Sequence, residues 1–160
     1  MRILIIMGSD SDLPVMKPAA DICKELGIEC SMTVASAHRT PEKVRELAQG
    51  AEEKGIGAII VGAGGAAHLA GVVASYTTLP VIGVPINATP LNGMDALFAT
   101  VQMPSGIPVA TMAVNGAKNA AILAAEIFAL SDAALKEKLS AYRKKLAEAV
   151  EKKAAKVEGA

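Results

Sequence analysis

The sequence predicts an α/β fold built on a five-stranded parallel β-sheet. Five short apolar runs, rich in Val, Ile and Ala, recur along the 160 residues, and segments with helical periodicity separate them. Strands that alternate with helices indicate βαβ units, whose crossovers are right-handed. Because the apolar runs are continuous rather than alternating, each strand is expected to be covered by helices on both faces.

The first βα unit opens the chain. A strand is predicted over residues 2–7, and residues 8–12, Gly-Ser-Asp-Ser-Asp, follow it. A helix is then expected from about 13 to 26, with Asp12 as its N-cap and Gly27 at its C-terminal end.

The second unit places the most distinctive segment of the chain after a strand. That strand is predicted over residues 28–35, and residues 36–41, Ser-Ala-His-Arg-Thr-Pro, follow it. Thr40 is expected to cap a helix that starts at Pro41 and closes near Gly55. The segment therefore lies in a loop at the carboxyl end of a strand.

The third strand is followed by a loop with almost no side chains. The strand is predicted over residues 57–61, and residues 62–65, Gly-Ala-Gly-Gly, follow it. The remaining predicted elements are a helix over 66–76, a strand over 80–84, a helix near 92–102, a strand over 108–113 and a helix over 117–130.

These strands predict a three-layer αβα domain with the flavodoxin-like sheet order 2-1-3-4-5. In that arrangement, ligands bind beyond the carboxyl ends of the strands, at the switch point between strands 1 and 3. The loops over 8–12, 36–41 and 62–65 should therefore meet around one site. Three chemically distinctive loops that converge are a more specific signal than any one of them.

The whole chain, residues 1–160, is expected to form a single domain with a core over 1–130. A charged helix is predicted over about 132–158, and apolar residues recur along one of its faces. That stripe must be buried, and the pattern alone fits two surfaces equally well: a neighbouring subunit, or the helix's own domain. The stripe consists of Leu135, Leu139, Tyr142, Leu146, Val150, Ala154 and Val157.

Composition argues against several classes of function. The 16 basic and 16 acidic residues cancel, which disfavours a nucleic-acid or membrane-surface partner. No apolar run reaches membrane-spanning length and the N-terminus is too short for a signal peptide, so a soluble, cytoplasmic protein is expected. Cys23 and Cys30 are interpreted as small buried thiols in a reducing compartment, with a disulfide between them as the less favoured alternative.

Within residues 36–41, an imidazole and a guanidinium stand side by side. His38 can move protons near neutral pH. Arg39 can hold a phosphate or a carboxylate through paired hydrogen bonds. The alternative is a surface turn whose histidine and arginine are simply solvated.

Residues 8–12 suit an anion and a sugar. Ser9 and Ser11 offer hydroxyls beside exposed amides and a helix N-terminus, a combination that favours an oxyanion. The carboxylate of Asp12 suits the hydroxyls of a ribose. The alternative is plain capping by Asp12, with both serines as turn residues.

The glycine-rich segment opens the backbone to a flat ligand. Residues 62–67, which include Gly64, Gly65 and Ala66, carry almost no side chain. Close packing of helix on sheet is the alternative, and both can hold at once.

His68 could reach the same pocket, although packing or hydrogen bonding is favoured over catalysis. It is one of only two histidines, with no cluster of cysteines or carboxylates at ligand spacing, so no metal site is predicted.

Six segments carry a resemblance to a known family. They are residues 8–12, 36–41, 62–69, 79–85, 101–104 and 106–109. In this order, and over about residues 2–130, the chain resembles the N5-carboxyaminoimidazole ribonucleotide mutase family of purine biosynthesis (phosphoribosylaminoimidazole carboxylase catalytic subunit, class I). The tail after residue 131 matches only as a helix.

The resemblance implies an isomerase. Its substrate is the carbamate N5-carboxyaminoimidazole ribonucleotide, and its product carries the carboxylate on C4 of the imidazole, by way of aminoimidazole ribonucleotide and trapped carbon dioxide. The resemblance also implies no metal or organic cofactor, and a homo-octamer in which the C-terminal helix packs on a neighbour. A carboxylase that uses free carbon dioxide, and a non-catalytic nucleotide-binding or assembly module, remain alternatives.

The family's functional positions carry over residue by residue. His38 matches its general acid–base, and Ser9, Asp12 and Arg39 match nucleotide-binding positions. Residues of the segment 62–69 match the surroundings of the base and the carbon dioxide pocket. With the serines of the first two loops, the predicted substrate-binding residues are Ser9, Ser11, Asp12, Ser36, Arg39, Gly64, Gly65, Ala66, His68 and Leu69.

Overall fold

Five parallel strands form one sheet in the order β2-β1-β3-β4-β5 in the computed structural model, which describes residues 1–159. The predicted flavodoxin-like order is therefore confirmed. In this order β1 lies between β2 and β3, which creates the switch point at the carboxyl ends of β1 and β3. The strands are β1 (Arg2–Met7), β2 (Glu29–Val34), β3 (Ile56–Gly64), β4 (Val81–Ile86) and β5 (Ala110–Thr111).

Helices cover both faces of the sheet and produce two separate cores. Alternate side chains of β1 point to opposite faces: Ile3, Ile5 and Met7 join the core under α1 and α5, whereas Leu4 and Ile6 join the core under α2, α3 and α4. The helices are α1 (Leu13–Leu26), α2 (Pro41–Gln49), α3 (Leu69–Ala74), α4 (Met94–Val101), α5 (Ala117–Ala129) and α6 (Ala133–Glu158).

Two predicted boundaries near the site were wrong. The strand β3 continues through residues 62–64, predicted as loop, because these residues keep pairing with residues 84–86 of β4. The helix α3 starts only at Leu69, since Ala67 has a φ of 45°, outside the helical region. The glycine-rich segment is thus the end of a strand followed by a tight turn.

Two other elements are shorter than predicted. The helix α2 ends at Gln49, and a separate 3-10 turn over Glu52–Lys54 completes the path to Gly55. The strand β5 contains only two residues instead of the predicted 108–113. Pro108 has no N–H to donate to a ladder, which removes it from regular pairing.

The apolar stripe of α6 divides into two halves. Leu135 and Leu139 are buried in the core that α1 and α5 share, so this half folds back on its own domain. Leu146, Val150 and Val157 are 51%, 62% and 77% exposed. The second half of the stripe has no partner within the described part of the chain.

None of the helices within residues 1–159 is both long and apolar enough to span a bilayer. Cys23 is buried and Cys30 partly buried, and both are free thiols.

Candidate active site

The carboxyl ends of β1, β2 and β3 surround a cavity of about 320 Å³. Every site residue predicted from the sequence lines it except Gly65, which lies in the chain between two lining residues. The side chains that the sequence placed in three separate loops therefore share one cleft. The lining residues are Gly8, Ser9, Ser11, Asp12, Ser36, Ala37, His38, Arg39, Ala63, Gly64, Ala66, Ala67, His68, Leu69 and Ala88.

The loop after β1 is closed by a reciprocal cap. Ser9 begins a 3-10 turn over Asp10–Asp12, its Oγ accepts from the N–H of Ser11 at 3.4 Å, and its own N–H donates to Oδ2 of Asp12 at 3.0 Å. Asp12 occupies the N-cap position of α1, as predicted, but its carboxylate makes no capping bond to that helix. One reason is that Pro14, in the first turn of α1, has no N–H to offer a cap.

Asp12 is a buried carboxyl at the edge of the cavity, with 6% of its surface exposed. Burial raises the pKa of Asp12, and hydrogen bonds from the backbone of Ser9 and Gly8 offset part of that increase. The carboxyl group is therefore held in one orientation at a place where a ligand hydroxyl could meet it.

The loop after β2 is a turn whose two ends are joined by hydrogen bonds. The N–H of Ser36 donates to Oγ1 of Thr40 at 2.8 Å, and that hydroxyl donates to the carbonyl oxygen of Ser36 at 3.2 Å. Thr40 occupies the N-cap position of α2, as predicted, but its side chain makes no capping bond to the helix. The hydroxyl closes the turn that presents His38 and Arg39.

Arg39 links the first loop to the second. Its Nη2 donates to the carbonyl oxygen of Gly8 at 3.3 Å, and its Nε lies 3.5 Å from Oγ of Ser36. These contacts use only part of the guanidinium, which carries five N–H donors. Among residues 1–159, Arg39 has no ion pair with a carboxylate, so its charge remains available to an anion.

Two histidines from different loops meet in the cavity. Nε2 of His38 lies 2.8 Å from Nδ1 of His68, and the two rings stand edge to face with centroids 5.0 Å apart. One nitrogen must carry the proton and the other accept it. His68 was expected just inside α3, but it occupies the N-cap position, where it faces the cleft.

The end of β3 forms a bare edge of the cleft. A Cβ on Gly64 would lie 2.6 Å from Cβ of Ala88 and 3.2 Å from the carbonyl oxygen of Ile86, so only glycine fits without movement. Gly65 follows with a φ of 60°. Ala88 was missed at the sequence level, because an alanine in the long connection after β4 carries no chemical signal.

No group of three or more His, Cys, Asp or Glu side chains in the described range could hold a metal ion.

The fold and cleft define an α/β protein of the flavodoxin-like topology, with a histidine pair and an arginine at its switch point. The chain belongs to the AIR carboxylase family, whose model matches residues 2–149.

Close relatives support this assignment along nearly the whole chain. The N5-carboxyaminoimidazole ribonucleotide mutase of Pyrococcus horikoshii is 59% identical over 154 residues, covering 96% of this chain and 87% of that protein. The Thermotoga maritima mutase is 56% identical over 157 residues, covering 98% and 92%. The crystal structure of Treponema denticola PurE has a TM-score of 0.85 at 30% identity and covers 96% of both chains.

Proposed function

We propose that this protein is an isomerase of purine biosynthesis that converts N5-carboxyaminoimidazole ribonucleotide to 4-carboxy-5-aminoimidazole ribonucleotide. Relatives that share more than half of their residues with it, over nearly its full length, are mutases of that name. The observation that carries the proposal is the cleft itself, in which the His38–His68 pair and Arg39 face a bare glycine edge.

The rearrangement needs one proton to be given and one to be removed. Protonation of the carbamate nitrogen breaks the N–C bond and releases carbon dioxide, leaving aminoimidazole ribonucleotide. C4 of that imidazole then attacks carbon dioxide, and the proton on C4 leaves as the ring recovers its aromaticity. A single imidazole can give the first proton and take the last, so no net proton is consumed.

His38 is proposed as the group that moves this proton. It lies in the cleft on the same turn as Arg39, and its Nε2 already shares a hydrogen bond with His68. That bond holds the His38 ring in place and selects its tautomer, which is a positioning role for His68. A metal or an organic cofactor is not required by this sequence of steps.

The phosphate and ribose are assigned to the first two loops. Arg39 is proposed to bind the phosphate, supported by its unpaired charge, by the nearby hydroxyl of Ser36, and by the hydroxyls of Ser9 and Ser11 that line the same cavity. Asp12 is proposed to bind the ribose hydroxyls.

The rest of the segment 62–69 is proposed to surround the imidazole and carbon dioxide. Gly64, Ala66 and Leu69 line the cleft with small or apolar groups, and Gly65 makes the turn between them. An apolar wall of this kind excludes water while carbon dioxide is free.

A homo-oligomer, specifically an octamer as the resemblance implies, is proposed as the working form. The exposed second half of the α6 stripe supports a subunit contact there, since Leu146 and Val150 are more than half exposed.

Sedimentation of the Leu146→Glu/Val150→Glu variant should show smaller species than the wild-type chain. The Lys145→Glu/Lys152→Glu variant, altered on the charged face, is the matched control. An unchanged oligomer in the first variant would contradict this contact.

Two free thiols fit the reducing cytoplasm, which is the proposed location.

Product formation from the carbamate by the purified full-length protein tests the function. We expect carboxylation at C4 without added ATP or bicarbonate. Product formation only from aminoimidazole ribonucleotide plus a large excess of bicarbonate would favour the carboxylase. Ribonucleotide binding in calorimetry with no turnover of either substrate would favour a non-catalytic module.

Arg39→Ala tests the phosphate assignment. Removal of hydrogen bonds to a charged group costs about 1.5–3 kcal/mol, so KM should rise roughly tenfold to a hundredfold. Arg45→Ala is the control, because Arg45 pairs with Glu42 on the surface of α2. Unchanged affinity in Arg39→Ala would remove this residue from the phosphate site.

A further inference from the structure

The strand β4 extends beyond its neighbour β5 at the edge of the site. β5 pairs with β4 only at Ile82 and Gly83, and the N–H of Met112 makes the last ladder bond, to the carbonyl oxygen of Gly83 at 2.9 Å. β4 continues to Ile86. Its final residues therefore lack a strand on the β5 side, although they lead directly into the wall of the cavity.

Asn115 takes the place of that missing strand. Its backbone N–H donates to the carbonyl oxygen of Pro85 at 2.8 Å, and its side-chain Oδ1 accepts from the N–H of Asn87 at 3.0 Å. Both bonds are possible because Asn115 has a φ of 59°, in the left-handed region that asparagine tolerates better than most residues. A side-chain oxygen thus substitutes for a strand carbonyl.

The residue that follows the Asn87 amide, which Asn115 binds, is part of the cleft. Ala88 follows Asn87 and lines the cavity, and its Cβ lies where a Cβ on Gly64 would be only 2.6 Å away. The turn that holds Asn115 also packs under the same connection at Gly93, where an added Cβ would lie 2.6 Å from Cγ1 of Val114. Ala88 and Gly64 are therefore held against one another from outside the cleft.

We infer that Asn115 is a positioning residue for the rearrangement. Through the N–H of Asn87 it holds Ala88 against the glycine edge, and so keeps carbon dioxide in the cleft between its release and its recapture. This inference rests on the proposed function. Asn115 does not line the cavity, so it acts only through the wall that it supports.

A loosened wall should change the fate of carbon dioxide more than the binding of substrate. Without the Asn115 oxygen, the N–H of Asn87 has lost its acceptor and turns to water, and Ala88 moves with it. The loops that carry Arg39 and Asp12 are not touched by this change. The expected signature is a larger fraction of consumed carbamate that ends as aminoimidazole ribonucleotide and free carbon dioxide, at nearly constant KM.

Three variants separate the effect of the Asn115 side-chain oxygen from the effect of the backbone conformation at this position. Asn115→Gly keeps the positive φ and removes the acceptor, whereas Asn115→Asp keeps an oxygen at the same position. Asn92→Gly is the matched control, because Asn92 also has a positive φ, of 54°, and its exposed side chain makes no hydrogen bond among the described residues.

Partitioning of the carbamate is the decisive measurement, after subtraction of its enzyme-free loss. Asn115→Gly should release carbon dioxide about fivefold more often per turnover than wild type, the ratio expected for one net hydrogen bond. Asn115→Asp and Asn92→Gly should stay within about twofold of wild type. A folded Asn115→Gly variant with wild-type partitioning overturns the inference.

Hydrogen exchange at the Asn87 amide gives a readout that does not need turnover. Exchange should be faster in Asn115→Gly than in wild type, and restored in Asn115→Asp; unchanged exchange in Asn115→Gly also overturns the inference. A wild-type protein that does not turn over the carbamate overturns the proposed function and the role of Asn115 together. Wild-type turnover with unchanged partitioning in Asn115→Gly overturns only the latter.

Discussion

A hydrogen bond of 2.8 Å joins Nε2 of His38 to Nδ1 of His68, two residues that stand 30 positions apart in the chain. It connects the loop after β2 to the turn before α3 across the cleft. The chain contains no other histidines. Each imidazole therefore finds its partner in the other, and the pair holds at least one exchangeable proton beside the bare glycine edge.

His38→Asn tests the proton transfer. Loss of a general acid–base should lower kcat about 10²–10⁴-fold, while ribonucleotide affinity should stay within a few fold. Steady-state assays give kcat, and calorimetry gives the affinity. Near-wild-type turnover would exclude His38 from the chemistry.

His68→Ala tests whether His68 positions His38. Without its hydrogen-bond partner the His38 ring can rotate, so kcat should fall about tenfold at a nearly constant KM. His68→Gln, whose amide can still bond to the ring, should recover part of the loss. A rise in KM with unchanged kcat would instead make His68 a binding residue.

The buried Asp12 carboxyl predicts a pH dependence of stability. Burial raises the pKa of Asp12 above its ordinary value of 3.8, so the folded state holds this proton to higher pH than the unfolded chain does. The stabilising contribution of this group is present below the unfolded pKa and is lost as pH rises through the raised pKa. Asp12→Asn should flatten the free energy of unfolding across that window.

Urea unfolding between about pH 3 and about pH 7 measures this difference. Asp21→Asn, at an exposed position on α1, is the control and should leave the slope unchanged. An identical slope for wild type and Asp12→Asn would contradict the raised pKa.

Gly64→Ala should destabilise the fold at the cleft. Its new Cβ would lie 2.6 Å from Cβ of Ala88, and overpacking of this kind costs about 1–3 kcal/mol. The double variant Gly64→Ala/Ala88→Gly removes the closest contact and should recover part of that loss. Denaturant unfolding measures the stability of both variants. Wild-type stability in Gly64→Ala would show that the neighbouring residues move at no cost and would contradict the prediction.

The two thiols should differ in reactivity. Burial, and secondarily the neighbouring thiol of Cys30, raise the pKa of Cys23 to about 12, so very little thiolate forms near neutral pH. Cys30 is partly exposed and should be alkylated by iodoacetamide well before Cys23 in the folded protein. Mass spectrometry identifies the modified peptide, and Cys30→Ser should resist alkylation until urea is added. Earlier labelling of Cys23 would contradict the prediction.

Local sequence patterns predicted the bounds of an element correctly where burial and a single helix-terminating residue determine them. The helix α1 begins at Leu13 and ends at Leu26, as predicted, because Gly27 adopts a φ of 73° and closes it. Patterns were insufficient where one residue had two possible partners. Asp12 and Thr40 fit the pattern of helix caps equally well, and only the folded loops show them bonded to Ser9 and to Ser36 instead.

The sequence by itself determined the order of strands and helices, the end of the sheet at which the site forms, and the residues of the three loops. These follow from hydrophobic periodicity, from the residues that terminate helices and strands, and from the handedness of βαβ crossovers, which are all local or nearly local. Only the tertiary structure decided that His38 bonds to His68, that Ala88 lines the cleft beside Gly64, and that Asn115 bonds to the amide of Asn87. Each of these contacts joins residues more than 20 positions apart, and their geometry depends on how the loops pack around the finished sheet.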